Sequence, residues 1–333
     1  MQIFSKKTLT VAVTVVLGGL GAVSTAYAVD TQAYSLLTIS NLVWDNTTLG
    51  RQVDFGDFSS INIGNSASDS ASLSPGGNDS HAAPTGLGDK NPVQACVGAG
   101  GAGTGACAPI GDNDITIHSG QYLVRGDANL AGAIITGAPG QSSPANALAV
   151  TETQLDGLVS NGNGNGQVGT GTTLTFSVGQ GGTFSFSLDG ALHVLADVNA
   201  AAGEPGSSAL ATANFKMTIA DSTGDVFVWD PGTSITGGTE TLTGCTGFGG
   251  DALTSSATAN IPGDHQERDF SCHYAAGGVA LTAGVQYTFT IDHKVNSNAA
   301  QVFPTPTPEP TTLALMGLGL LGVAGVARRR TKA

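Results

Sequence analysis

Apolar and polar residues alternate with a period of two along several short stretches, the spacing at which successive side chains of a β-strand point to opposite faces. Leu174, Phe176 and Val178 alternate with Thr173, Thr175 and Ser177; after Gly181-Gly182, Phe184, Phe186 and Leu188 alternate with Ser185 and Ser187. These two runs, with the glycines between them, predict a β-hairpin. Phe215, Met217 and Ile219 oppose Asn214, Lys216 and Thr218, while Val285, Tyr287, Phe289 and Ile291 oppose Gln286, Thr288 and Thr290. Residues 192–198 and 226–229 supply further strands. Short alternating strands broken by Gly and Pro predict a mainly β fold, an antiparallel β-sandwich whose sheets each have one dry and one wet face.

The N-terminal half is less regular. Residues 34–44 suit a buried strand, Asn46, Thr47 and Thr48 turn the chain, and residues 53–63 (Val53, Phe55, Phe58, Ile61, Ile63) continue the sheet with a bulge at Gly56. Residues 64–111 shift to Gly, Ser, Ala, Asn and Asp. Such a stretch buries too little surface to offset its ordering entropy, which predicts a long flexible excursion. Residues 115–124 read as strand again, with Ile115, Ile117, Tyr122 and Val124 available to a core. Residues 137–146, with Pro139 and Pro144, read as loop, and Leu148, Leu155 and Leu158 place a helix over 147–159. The Gly/Asn run at 161–171 reads as a linker. The body therefore divides into an N-terminal β-rich region, 29–160, and a C-terminal sandwich region, 161–303. Residues 281–287 resemble the corner into a late strand of Greek-key sandwiches, where a tyrosine staples the turn, so a Greek-key or jelly-roll-like topology with long Gly/Ser/Asn-rich loops is expected.

Both ends are patterned as addresses. Lys6 and Lys7 precede an apolar run over 9–23 that closes on Ala26-Tyr27-Ala28. Basic residues that stay cytoplasmic, a short inserting stretch, and small side chains at Ala26 and Ala28 that fit a peptidase's pockets predict a signal peptide over 1–28, with a signal helix and cleavage after Ala28. At the other end, residues 304–333 begin with a Pro-rich stalk that leads into 17 uncharged residues over 311–327, followed by Arg328, Arg329, Arg330 and Lys332. Prolines favour an extended stalk, the apolar run can form a short transmembrane helix at ~1.5 Å per residue, and the basic cluster stays cytoplasmic.

Pro308-Glu309-Pro310, the Leu/Gly-rich run and the closing Arg328, Arg329 and Arg330 resemble the PEP-CTERM sorting signal of Gram-negative bacteria. The resemblance implies recognition of the Pro-Glu-Pro region by an exosortase, a membrane-embedded cysteine protease or transpeptidase, and removal of the tail. It also implies membership among proteins that accompany exopolysaccharide and biofilm-matrix systems and are often glycosylated. The expected itinerary is export through the inner membrane with signal peptidase, transient anchoring by the C-terminal helix, and arrival at the outer cell surface or outside the cell.

Charge sharpens this picture. The whole chain has 12 Lys+Arg and 25 Asp+Glu in 333 residues, with 49 glycines. Six of the basic residues lie in the two end segments, whereas no acidic residue precedes Asp30 or follows Glu309, so a mature body over 29–310 carries a charge of −19. A chain this poor in cations cannot build a phosphate-neutralising face, which excludes a nucleic-acid binder.

Candidate chemistry is sparse. Ten residues lie between Cys96 and Cys107, and 26 between Cys245 and Cys272. In an oxidising compartment the four imply two disulfides; three pairings are open and the sequential one is favoured. No C-x-x-C spacing accompanies Cys272-His273 and His265, so no metal site is expected there. Gly98-x-Gly100-x-x-Gly103 and Gly164-x-Gly166-x-x-Gly169 match a dinucleotide fingerprint in letters only, since neither sits between a strand and a helix. Asp112-Asn113-Asp114 and the Asp/Asn/Gly turns at Asn78-Asp79, Asp221 to Asp225 and Asp251 could offer oxygens to Ca²⁺, the one cofactor weighed, although Asp and Asn also serve plain turns and turn chemistry is the favoured reading. No G-x-S-x-G, H-E-x-x-H or Walker loop is present, and Glu152, Glu204, Glu240 and Glu267 form no recognisable acid/base pair. Trp44 and Trp229 suit either sugar stacking or core filling, with the core expected. The leading expectation is a non-catalytic exported surface or matrix protein, associated with extracellular polysaccharide. A carbohydrate- or Ca²⁺-binding sandwich module is the alternative, and a polysaccharide-acting enzyme comes third.

Overall fold

Alternating burial runs through strand after strand. In order these are β1 (Thr31–Asn46), β2 (Arg51–Gln52), β3 (Phe58–Ser74), β4 (Gly77–Gly86), β5 (Ala95–Gly98), β6 (Gly101–Ala102), β7 (Tyr122–Ala131), β8 (Ala145–Leu155) and β9 (Gly162–Val178). They continue with β10 (Gly182–Val198), β11 (Ser208–Asp221), β12 (Gly224–Asp230), β13 (Ser234–Thr236), β14 (Thr239–Phe248), β15 (Ser255–Ala259), β16 (His265–Leu281) and β17 (Gln286–Gln301). The computed structural model describes residues 31–302 other than 75, 99–100, 103–110, 119–121, 156–160 and 200–205. The segments expected as signal peptide and as stalk with its apolar run fall outside the described residues, as does Cys107.

The strands form two antiparallel sheets packed as a sandwich. The first runs β14-β16-β10-β1-β8-β7-β5-β6 with β2 on the end of β1, and the second runs β13-β12-β11-β17-β9-β3-β4 with β15 beside β11. Each sheet contains strands from before and after residue 161 in two contiguous blocks, joined by the β1–β10 pair in the first sheet and the β3–β9 pair in the second. The Tyr287 hydroxyl accepts a hydrogen bond from the Thr282 amide at 2.9 Å, fastening the corner between β16 and β17 as the Greek-key resemblance implies.

Six local readings change. The alternating runs around Gly181 are not a hairpin: β9 pairs with β3 and β17, whereas β10 pairs with β1 and β16, so the chain arches from one sheet to the other. Period two marks which side of a strand is apolar and is silent on whether its neighbour lies beside it or across the core. The stretch 64–111, expected as a flexible excursion, contains most of β3 and all of β4, β5 and β6, and β3 is held between β4 and β9. Its inward residues are small or polar (Asn65, Ala67, Asp69, Ala71) because the sheets lie close together there. The helix over 147–159 is replaced by β8, in which residues 149–155 are all buried; burial on both faces erased the alternation that marks a half-exposed strand. The linker over 161–171 is the first half of β9. Finally, the strand expected from residue 115 starts only at Tyr122, and Ile115 and Ile117 are exposed. Among the described residues there is no α-helix; Gly56, expected as a bulge, lies in the 3-10 turn Phe55–Asp57, capped by Asp54.

The core changes character along the strands. At one end Trp44 is fully buried among Phe58, Phe176, Phe184, Phe186 and Phe289, with ring centroids 5.3 to 5.9 Å away. At the other end the facing residues are Gly126, Gly164, Gly166, Ala71, Thr151, Thr153 and Ser297. A Cβ on Gly166 would lie 2.0 Å from Thr151 Oγ1, one on Gly164 2.5 Å from Thr153 Cγ2, and one on Gly126 2.7 Å from Val168 Cγ2. Here hydrogen bonds join the sheets directly. Ser297 Oγ lies 2.9 Å from the hydroxyls of both Thr151 and Thr153, Ser35 Oγ donates to Asn296 O at 2.7 Å, and His293 Nε2 donates to Leu37 O at 3.0 Å.

Candidate functional site on the two outer faces

With both inner faces committed to the core, chemistry is left to the outer ones. On the first sheet, cross-strand positions of β10 and β16 set histidines beside carboxylates. His273 Nδ1 lies 2.7 Å from Asp189 Oδ1, and hydrogen bonds from Asn41 and His273 hold the Asp189 carboxyl below its ordinary range. His193 Nε2 is 2.8 Å from Glu267 Oε1, and His265 Nδ1 is 3.2 Å from Asp197 Oδ1. Ser271, two residues from His273 on the same face, instead shares a hydrogen bond with Thr246 Oγ1 at 3.0 Å. Among the described residues no three His, Cys, Asp or Glu side chains gather at metal-binding spacing.

Further along this face, residues 111–118 lie over β7 and β8 as a strap. Arg125 and Glu152, both fully buried, pair at 3.0 Å under it. The remaining Arg125 donors reach Asp114 O at 2.5 Å and Thr116 O at 2.7 Å; the Tyr34 hydroxyl donates to Ile115 O at 2.6 Å. His118 donates its amide to Glu152 Oε1 at 2.8 Å, and the hydrogen bond of its ring to Glu152 raises the His118 pKa. A buried ion pair persists only when its spare donors are satisfied, and the strap's carbonyls supply the acceptors. These carbonyls explain why residues 111–118 are irregular: their acceptors are turned to a guanidinium instead of a neighbouring strand.

The outer face of the second sheet is of another kind. Five successive outward positions of β3 are serines, from Ser66 to Ser74, and β9, β17 and β11 add Asn, Gln, Thr and Gly. Its charged outward residues on these four strands are Lys216, Lys294 and Asp292, the last two paired at 3.0 Å. Register sets Ser80, Ser70, Gln167 and Asn296 in one row and Ala82, Ser68, Gly169 and Lys294 in the next. A furrow of about 430 Å³ runs over these residues.

The sequence-derived site residues scatter over this frame. Cys245 and Cys272 form a disulfide between β14 and β16. Cys96 is also disulfide-bonded, while Cys107, its expected partner, lies outside the described residues. Ala26, Ala28, Pro308, Glu309, Pro310, Arg328, Arg329 and Arg330 are outside them too. Trp44 and Trp229 are both fully buried, which removes them as sugar-stacking platforms. Gly164 and Gly166 sit inside β9 facing the other sheet, so the fingerprint letters there record close packing and no phosphate loop. Sequence reasoning missed the histidine–carboxylate pairs and the Arg125–Glu152 pair, whose members are up to 84 residues apart.

Residues 306–330 match the family model of the PEP-CTERM protein-sorting motif. No curated protein and no solved structure matches the chain.

Proposed function

We propose that this chain, which carries a PEP-CTERM protein-sorting motif, is a non-catalytic component of the cell surface or extracellular matrix, delivered by its signal peptide, held by its tail and processed by an exosortase. The observation that carries the reading is the placement of the motif. It begins at residue 306, five residues after the last strand ends at Gln301, so cutting there leaves both sheets whole. The body suits the destination: its described cysteines, Cys96, Cys245 and Cys272, are oxidised and its composition is strongly acidic, as befits a protein outside the reducing cytoplasm.

Replacing Pro308-Glu309-Pro310 with alanines tests the sorting step. The altered protein should accumulate uncut in the membrane fraction of the producing cell; release and chain length equal to the parent's would overturn the reading.

A further inference from the structure

The furrow on the second sheet differs from an ordinary wet sheet face in two respects. First, Gly169 leaves its floor without a side chain between Ser68 and Lys294, and the register on both sides is unbroken there. Hydroxyls (Ser68, Ser70, Ser80), primary amides (Gln167, Asn296) and one ammonium line it; Asp69 and His81 border it as well, His81 being paired with Asp79, and no Trp, Tyr or Phe does. Adjacent strands are ~4.8 Å apart, so the row Ser80, Ser70, Gln167 and Asn296 offers donors and acceptors at that interval across four strands, and the next row adds Ser68 and Lys294. Second, the body carries −19, yet this face presents two lysines against one aspartate on its four long strands, and one of those lysines is already paired. Long-range repulsion from the body opposes a polyanion, while a nearly neutral face makes no demand for one.

We propose that this furrow binds an uncharged, hydroxyl-rich polysaccharide, held edge-on by Ser68, Ser70, Gln167, Lys294 and Asn296. Hydroxyls and amides both donate and accept, as sugar hydroxyls do, and about 430 Å³ lies in the range of small-ligand sites. Without a Trp, Tyr or Phe to stack on, the contact depends on hydrogen bonds, and repetition along the polymer supplies avidity. The inference deepens the surface-protein reading by naming what the body holds; its assay involves no sorting step, so either can fail alone.

Affinity electrophoresis of the full-length chain through gels containing a soluble β-glucan, a mannan or a dextran, with a uronate polymer for comparison, tests the idea. At least one neutral gel should lower mobility twofold or more, with little dependence on salt. Gly169→Gln should restore free mobility, because it sets a side chain in the furrow at a position where a Cβ meets only ordinary contacts, the nearest being Lys294 Cγ at 3.4 Å. Lys294→Glu is a second variant that should weaken retardation, and Asp189→Asn on the opposite face should leave it unchanged. Free mobility in all three neutral gels, retardation by the uronate polymer alone, or retardation that survives both furrow variants would overturn the proposal.

Discussion

The same five long strands, β1, β3, β9, β10 and β17, build both ends of the sandwich, yet the two ends are held together differently. At the aromatic end, six rings from Trp44, Phe58, Phe176, Phe184, Phe186 and Phe289 fill a wide gap between the sheets. At the narrow end the gap closes until glycine is required and serine and threonine hydroxyls bridge it. Apolar area dominates the first, whereas fit and hydrogen-bond satisfaction dominate the second. The difference teaches that a Gly/Ser/Thr-rich segment can be core when its partner is equally small, because close approach restores the dispersion contacts that large side chains would have made.

The largest effect should come from the aromatic end. Trp44→Ala removes the ring at the centre of the cluster, and truncations of this size in a core cost about 3–5 kcal/mol. Thermal or denaturant unfolding would check it; a loss below about 1 kcal/mol would mean that this end is not where the sandwich's apolar stabilisation is concentrated.

A second contrast is electrostatic. Asp69, buried on the inner face of β3 beside Gly126, has no well-formed hydrogen bond to either oxygen. Burial, reinforced by the charge of Asp127, pushes its pKa up from 3.8 to about 8. A carboxyl raised in this way takes up a proton more readily when folded. Its contribution is therefore complete below its ordinary pKa and is lost as pH rises through the folded value, at about 1.4 kcal/mol per pH unit while only the unfolded form is ionised. His293 slopes the other way. Burial lowers its pKa to about 4, so its contribution is complete above its ordinary 6.5 and is lost as pH falls towards 4. Asp69→Asn should accordingly raise the melting temperature more at pH 8 than at pH 5. Equal shifts at both pH values would show that Asp69 is solvated and that the narrow end does not exclude water.

How much of this was legible follows from which side chains carry the signal. The inward faces of 174–178, 184–188, 215–219 and 285–291 were readable because each alternates large apolar residues with polar ones, and those positions are buried as expected except Val285, which is half-buried just before β17 begins. The disulfide between Cys245 and Cys272 was readable from count and compartment. The narrow end was not, since hydropathy scores Ser70-Ala71-Ser72 or Asn163-Gly164-Asn165 as loop, and only the opposing strand, far away in sequence, makes Ala71 and Gly164 interior. The furrow was hidden for a related reason: Ser68, Gln167 and Lys294 come from three strands and meet through register alone.

Neighbouring outward and inward glycines on β9 offer a smaller and sharper test. Gly166→Ala places a methyl 2.0 Å from Thr151 Oγ1 and 3.0 Å from Arg125 O, so the sheets must part locally, and overpacking of this kind costs about 1–3 kcal/mol. Gly169→Ala, three residues on and facing solvent, should be neutral or stabilise by about 0.5–1 kcal/mol, because it relieves glycine's entropy cost without a clash. If both substitutions behaved alike under denaturant, the close approach of the sheets at this end would be refuted.

The smallest effect isolates the hydrogen bonds that cross the narrow gap. Ser297→Ala deletes the hydroxyl between Thr151 and Thr153 but orphans neither, since Thr151 Oγ1 still donates to Arg125 O at 2.9 Å and Thr153 Oγ1 to Ser297 O at 3.2 Å. The loss should therefore stay near the net value of one hydrogen bond, about 0.5–1.5 kcal/mol, below the larger penalty of a stranded buried donor. Repeating it in a Thr151→Val background removes the hydroxyl partner as well, and the second step should then cost less than the first, a coupling readable from the four melting curves. Strict additivity would mean that shape alone holds the sheets together here, with the hydroxyls present only because no larger side chain fits.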